Sequence, residues 1–230
     1  MNKLPLVTVI IPVYNSAKFL AEALDSVFAQ TYHPLEVIIV DDGSTDDSAK
    51  IAKTYPSVRY LYQPNQGAAT ARNVGIASAE GELIALLDAD DVWKPEKLSL
   101  QVEYLNQHPQ IGILATKVYQ FFESEVELPP GFRHDKLLGE QPGMIPSTLV
   151  IRKTVFNQIG VFSPEFVPSE DTEWLCRARD SQVEIAMLSE VLATHRLHGS
   201  NISWNMVSTS SSRLLKILKA SIDRKSHQNR

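Results

Sequence analysis

Residues 6–91 alternate short apolar runs with stretches of helical periodicity, and this alternation restricts the fold more than any other feature of the chain. Leu6-Val7-Thr8-Val9-Ile10-Ile11 is a β-branched strand, stopped by Pro12. Ser16 stands where a helix N-cap belongs, and Phe19, Leu20, Ala23, Leu24, Val27 and Phe28 follow at helical spacing. Val37–Val40 is a second strand, running into the turn Asp41-Asp42-Gly43-Ser44 and a helix to about Thr54. Arg59–Tyr62 is a short third strand, Asn65-Gln66-Gly67 a turn, and Ala68–Ala79 a helix of small residues suited to close packing. The fourth strand, Glu82-Leu83-Ile84-Ala85-Leu86-Leu87, is continuously apolar after its first residue, as strands buried on both faces are. Strands alternating with helices predict an α/β fold, a doubly wound and mostly parallel sheet flanked by helices.

Beyond Pro95 the pattern loosens. The spacing predicts a helix over Lys97–Asn106, a strand over Ile111–Phe122, and a Pro- and Gly-rich loop over 123–143. Met144–Ile151 reads as a strand, Lys153–Gln158 as a short helix ending at Gly160, and Thr172–Asp180 as a helix, with strand-like pieces near Val183 and Val191. At 230 residues the chain suffices for one large domain or two fused halves. Its net charge of −5 argues against nucleic acid as the partner of the whole surface. Cys176 is the one cysteine, which excludes an internal disulfide and fits a reducing compartment. No run has the length of a membrane span and no signal-type apolar core opens the chain, so a cytoplasmic, soluble protein is expected.

Charge is uneven. Residues 213–230 hold six basic side chains against Asp223, a net of +5, which leaves −10 for the rest of a chain that totals −5. Within this tail Leu214, Leu218 and Ile222 recur at i, i+4 and i+8 with Leu215 beside them, after the serine-rich stretch 208–212. An amphipathic helix is expected over 208–230. Its apolar face either packs on the protein or on a second copy, or lies on an anionic membrane surface with the lysines toward the lipid headgroups.

The acidic end of the fourth strand, Asp88-Ala89-Asp90-Asp91, carries the first chemical signal. Ligands of open α/β sheets bind at the carboxyl ends of the strands. Asp88 and Asp90 share a face if the extended conformation continues, which concentrates oxygen ligands for a hard cation such as Mg²⁺. The plainer reading is an acidic turn before a helix, with Asp91 at a helix start and Trp93-Lys94-Pro95-Glu96 opening it. No P-loop and no G-x-G-x-x-G is present.

Taken together, Val9-Ile10-Ile11-Pro12-Val13-Tyr14-Asn15, Val40-Asp41-Asp42-Gly43-Ser44-Thr45-Asp46, Asn65-Gln66-Gly67 with Ala71-Arg72-Asn73, Leu87-Asp88-Ala89-Asp90-Asp91 and Glu170-Asp171 resemble the family 2 glycosyltransferases. These are inverting enzymes that use nucleotide-diphosphate sugars on the fold called GT-A. The likeness runs from about residue 6 to 110, and resumes at Gly160–Trp174 and at His195-Arg196-Leu197-His198. It implies a nucleotide-sugar-binding half over 1–110 and a smaller acceptor-binding half over 111–207. It implies Asp90 as ligand of a divalent cation, Mn²⁺ or Mg²⁺, with Asp88 assisting or holding the ribose. Pro12, Tyr14 and Asn15 would line the nucleobase, and Asp42 would accept from the imide N–H of uracil. Arg72 would pair with phosphate or with Asp42, its plain alternative being a solvated helix arginine. Asp171 would be the base that takes the acceptor proton, its plain alternative an acidic helix N-terminus. His198, with Arg196, would reach the diphosphate or the metal. Trp174 and Trp204 either stack on sugars or fill the core.

The expected activity is therefore transfer of a sugar from a nucleotide-diphosphate donor, a UDP-sugar first, to a hydroxyl of a saccharide or lipid-linked saccharide, in cell-surface polysaccharide or glycoconjugate synthesis. Two rivals stand. A sugar nucleotidyltransferase would need a Gly-rich, Arg-containing loop after strand one, where this chain has Pro12-Val13-Tyr14-Asn15-Ser16. A non-catalytic nucleotide-sugar-binding protein of the same fold would have signalled itself by loss of Asp88, Asp90 or Asp171, all of which are present.

Overall fold

The structure, a computed structural model, describes residues 4–123, 138–199 and 210–228. The strand β1 (Val7–Val13) lies between β2 (Leu35–Asp41) and β4 (Leu83–Leu86), with β3 (Val58–Tyr62) outside β2, all four parallel. Pro12 does not stop β1, which runs on to Val13. The carbonyl of Ile10 accepts from the N–H of Leu87 at 3.1 Å, the last bond to that neighbour. Residue 12 faces the same side two places on, past the end of β4, so its missing N–H leaves no partner orphaned.

The other strands continue the same sheet. β8 (Val150–Arg152) pairs antiparallel with β4 and with β6 (Ile111–Phe122), and β6 pairs parallel with β9 (Glu184–Leu197). β9 is one strand where two pieces were expected, bulged against β6. The end of the expected loop forms β7 (Gly139–Pro142), an edge strand on β6; most of that loop lies outside the described residues. The expected strand over Met144–Ile151 is mostly a 3-10 turn, Pro146–Thr148, followed by β8. Val92–Trp93 is a two-residue strand, β5, antiparallel to β9, rather than a helix start.

Helices cover both faces. Val7, Val9 and Ile11 point to one side, where α1 (Leu20–Phe28) and α4 (Lys97–Gln107) bring Leu20, Leu24, Leu98 and Val102. Ile10, Ile38 and Leu86 point to the other, against α3 (Ala68–Ser78), α5 (Lys153–Ile159) and α6 (Glu170–Asp180), with Phe156 and Trp174 in the core. This period-two division of a doubly covered sheet is what the apolar runs predict. Gly75 shows how close α3 lies: a Cβ there would stand 2.4 Å from Cγ2 of Ile10. The short α2 (Ser48–Ala52) starts later than its Asp41–Ser44 turn suggested, and α1 begins at Leu20 because a turn held by the carbonyl of Ser16 precedes it.

The tail forms α7 (Ser210–Gln228), packed on α6. Among the described residues, no helix is long and apolar enough to cross a membrane.

Candidate functional site

The carboxyl ends of β1, β2 and β4 gather the predicted residues on one rim of the sheet. Tyr14 and Asn15 follow β1 and are exposed, and Pro12 is half-buried. Asn15 has φ of 49°, a left-handed backbone that Asn tolerates. Its Oδ1 accepts from the N–H of Thr45 at 2.8 Å and its own N–H donates to Ser44 Oγ at 3.1 Å, so the loops after β1 and β2 are tied together.

Asp42, buried at the end of β2, accepts from Gln63 Nε2 at 2.6 Å and from the N–H groups of Gln66 and Gly67, both at 2.8 Å. It therefore fixes the Asn65-Gln66-Gly67 turn. A carboxylate offers about four acceptor positions, and these three bonds fill three of them.

Arg72 departs from expectation. It is buried rather than solvated, and it pairs not with Asp42 but with Asp88 and Glu170, each at 2.7 Å, one nitrogen to each carboxylate. Burial disfavours the charged guanidinium, but the charges of Asp88 and Glu170 outweigh it and raise its pKa. The next residue, Asn73, exchanges two hydrogen bonds with the backbone of Phe162, at 2.8 and 3.0 Å. Two consecutive residues of α3 thus grip the segment that leads to Asp171.

The acidic turn does not stay extended, and its three carboxylates part company. Asp88 faces Arg72, while Asp90 Oδ2 lies 2.9 Å from His198 Nε2. Asp91 opens no helix; it is fully buried, and it accepts from the Ser147 hydroxyl and from the Arg196 N–H at 3.1 Å, with His195 Nδ1 at 2.9 Å. Burial would lower the pKa of His195, but the charge and hydrogen bond of Asp91, with Asp90 and Asp88 behind it, raise it to about 9. β9 ends at Leu197, and His195 and His198 on either side of that end both meet the acidic turn. Arg196 reaches the carbonyl of Asp90 at 3.2 Å and Glu22 at 2.6 Å.

Asp171 lies half-buried in the first turn of α6. Burial first, and the negative charge of Glu170 second, push its pKa up to about 6. Trp174 is fully buried against Phe156 and Phe162, so it is core; Trp204 lies outside the described residues.

Sequence reasoning missed Glu170 as the anchor of Arg72, and His195 and Ser147 as partners of Asp91. Glu170 and His195 stood inside quoted motifs, whereas Ser147, between Pro146 and Thr148, gave no signal. Lys97 was missed too: fully buried, it donates to Gln101 at 2.8 Å and lies 4.1 Å over the ring of Trp93. Gln101 and Trp93 in turn bond carbonyls of the Ser147 turn.

Among the described residues, no three or more His, Cys, Asp or Glu side chains gather as a complete metal cage. Asp90 with His198 nevertheless fits a hard divalent cation of the kind that takes one or two protein ligands and completes its shell with substrate phosphates.

Residues 8–160 match the family described as glycosyl transferase family 2. An uncharacterised glycosyltransferase of Rickettsia prowazekii is 33% identical over 209 residues, 85% of this chain and 65% of that protein. The glycosyltransferase GlyG of Streptococcus pneumoniae is 37% identical over 125 residues, 52% of this chain and 41% of its own. The chain thus spans less than two thirds of either relative. Among solved structures, S. aureus TarS 1–349 in complex with UDP superposes with a TM-score of 0.72 at 21% identity, over 96% of this chain and 68% of that one. A mannosyltransferase from Pyrobaculum calidifontis, in complex with GDP-Man and Mn²⁺, gives 0.73 at 20% identity, over 96% and 65%. The fold is the GT-A arrangement of these proteins.

Proposed function

Since the chain belongs to glycosyl transferase family 2, we propose that it transfers a sugar, with inversion, from a nucleotide-diphosphate donor to an acceptor hydroxyl. A UDP-sugar is the donor we favour, and a saccharide or lipid-linked saccharide the acceptor, in cell-surface polysaccharide or glycoconjugate synthesis. The observation that carries the reading is the pairing of Arg72 with both Asp88 and Glu170, which links the acidic turn after β4 to the first turn of α6, where the half-buried Asp171 stands.

In this reading the base and ribose lie along Pro12, Tyr14 and Asn15, with the remaining acceptor position of Asp42 toward the imide. Asp90 and His198 would hold a divalent cation with the donor diphosphate, and Asp88, ion-paired with Arg72, would face the ribose or assist. When bound, the cation supplies Lewis-acid stabilisation of the departing diphosphate. Asp171 accepts the proton of the acceptor hydroxyl as its oxygen bonds to the anomeric carbon. The bond from that carbon to the phosphate oxygen breaks, and the nucleoside diphosphate leaves with the electron pair. A carboxylate pushed up to about 6 is a stronger base than an ordinary one and is still mostly ionised at neutral pH. TarS with UDP and the mannosyltransferase with GDP-Man and Mn²⁺ share the fold and support a nucleotide donor and a divalent ion.

The test is a thermal-shift screen of nucleotide sugars with and without Mn²⁺, followed by assay of nucleoside diphosphate release from the ligands that stabilise. A ligand that binds only the folded state raises Tm. Stabilisation by one donor class, with metal-dependent release, is expected. Stabilisation without any release would favour the non-catalytic reading.

A further inference from the structure

The helix α7 is mounted the wrong way round for a surface helix. Several of its polar side chains reach back to the protein. Arg224 donates to Glu173 and Asp180, both at 2.9 Å, Ser221 donates to Asp180 at 2.9 Å, and Lys216 donates to the carbonyl of Glu165 at 3.0 Å. Ile217 is the one leucine-class side chain of the helix that the body buries among those described. The apolar stripe that the sequence marks out does not pack on the body: Leu214, Leu215, Leu218 and Ile222 are 52, 66, 57 and 63% exposed. Ion pairs to α6 hold the helix in this attitude, so the stripe is presented outward by design of the contacts beneath it.

We infer that this face docks on an anionic lipid bilayer, with the leucines among the acyl chains and the lysines at the headgroups. The charge on the face selects the occupant. Lys219 stands at i+4 from Leu215 and Lys225 at i+7 from Leu218, so both fall on or beside the stripe, and Lys225 keeps 62% exposure although it reaches Asp180 at 3.3 Å. A second copy meeting this face across a two-fold axis would set the same lysine-bordered stripe against itself. An anionic surface complements it, as amphipathic helices with basic borders do. The placement bears on the proposed reaction. The underside of α7 rests on Glu165, Phe166, Glu173 and Asp180, the segment that leads into α6 and the helix α6 itself, which carries Asp171. Docking here would bring an acceptor held in the bilayer toward α6, whose first turn carries Asp171, the proposed base. That last link rests on the glycosyl-transfer reading; membrane binding itself does not.

The experiment is cosedimentation of the full chain with phosphatidylcholine vesicles, with and without phosphatidylglycerol, at low and high salt and with neither donor nor acceptor. Wild-type protein should pellet with the anionic vesicles and be released by salt. Leu215→Gln/Leu218→Gln should cut binding by more than about tenfold, since two large apolar side chains are lost to the bilayer, while its Tm stays at the wild-type value because neither leucine is buried in the protein. Lys219→Gln should weaken binding about fivefold, the effect of one basic charge at an anionic surface. No binding of wild type to either vesicle overturns the inference. So does a wild-type dimer in light scattering that the double variant dissolves without any vesicle binding. Because no nucleotide is present, either failure leaves the proposed reaction standing, and loss of nucleotide binding would leave this inference standing.

Discussion

Asp171 owes its raised pKa to burial first and to its neighbour Glu170 second. Burial and the Glu170 charge raise its pKa to about 6, so the proposed base is protonated, and idle, below that pH. The pH profile of kcat/KM, which reports the free enzyme, should fall on its acid side with a midpoint near that value. Asp171→Asn should lower turnover by about 10²- to 10⁴-fold, the contribution of a positioned general base, with donor affinity close to wild type; collapse of donor affinity would move Asp171 to the donor site. Asp90→Asn should abolish the Mn²⁺-dependent part of nucleotide affinity and most turnover, and unchanged turnover would remove Asp90 from the metal. At this scale Asp90 and Asp171 could be put forward from sequence because each sits in a short motif. Asp91 was not. Its role is set by His195, 104 positions away, and by Ser147, and no local pattern encodes such a pairing.

Between elements, Arg72 on α3 is the strut that joins the end of β4 to the start of α6. Arg72→Ala would leave Glu170 buried without its cation and should cost about 3–5 kcal/mol, read by urea unfolding, as breaking a buried ion pair does. Glu170→Gln is gentler, because the amide oxygen can still accept from Arg72. Removing a negative charge beside Asp171 should move the acid limb of the pH profile to lower pH. A limb that stays in place would show that Glu170 does not tune the base. The first four strands and their helices were readable because each carries its own periodicity and turn. The second half was harder for a physical reason. β5 and β8 are two and three residues long, and they exist only through their partners β9, β4 and β6. The apolar face of α7 was legible, but which side of the helix the body would take was not. That was decided by Arg224 and Ser221 meeting Glu173 and Asp180 on α6.

In the whole molecule one sheet runs from β3 to β5, so the proposed donor and acceptor halves share a continuous core rather than a hinge between two. The rim above β1, β2 and β4 holds Tyr14, Asn15, Asp42, Asp88 and Asp90 together, and the C-terminal end of β9 closes on it with His195 and His198. The central claim is that this rim binds a nucleoside diphosphate through a divalent ion on Asp90. Calorimetric titration of UDP into wild-type, Asp90→Asn and Asp171→Asn protein, with and without Mn²⁺, tests it most directly. The account predicts affinity that Mn²⁺ strengthens in wild type and in Asp171→Asn, and that Mn²⁺ leaves unchanged in Asp90→Asn. Equal enhancement by Mn²⁺ in all three proteins, or no UDP binding by wild type with the ion present, would contradict it.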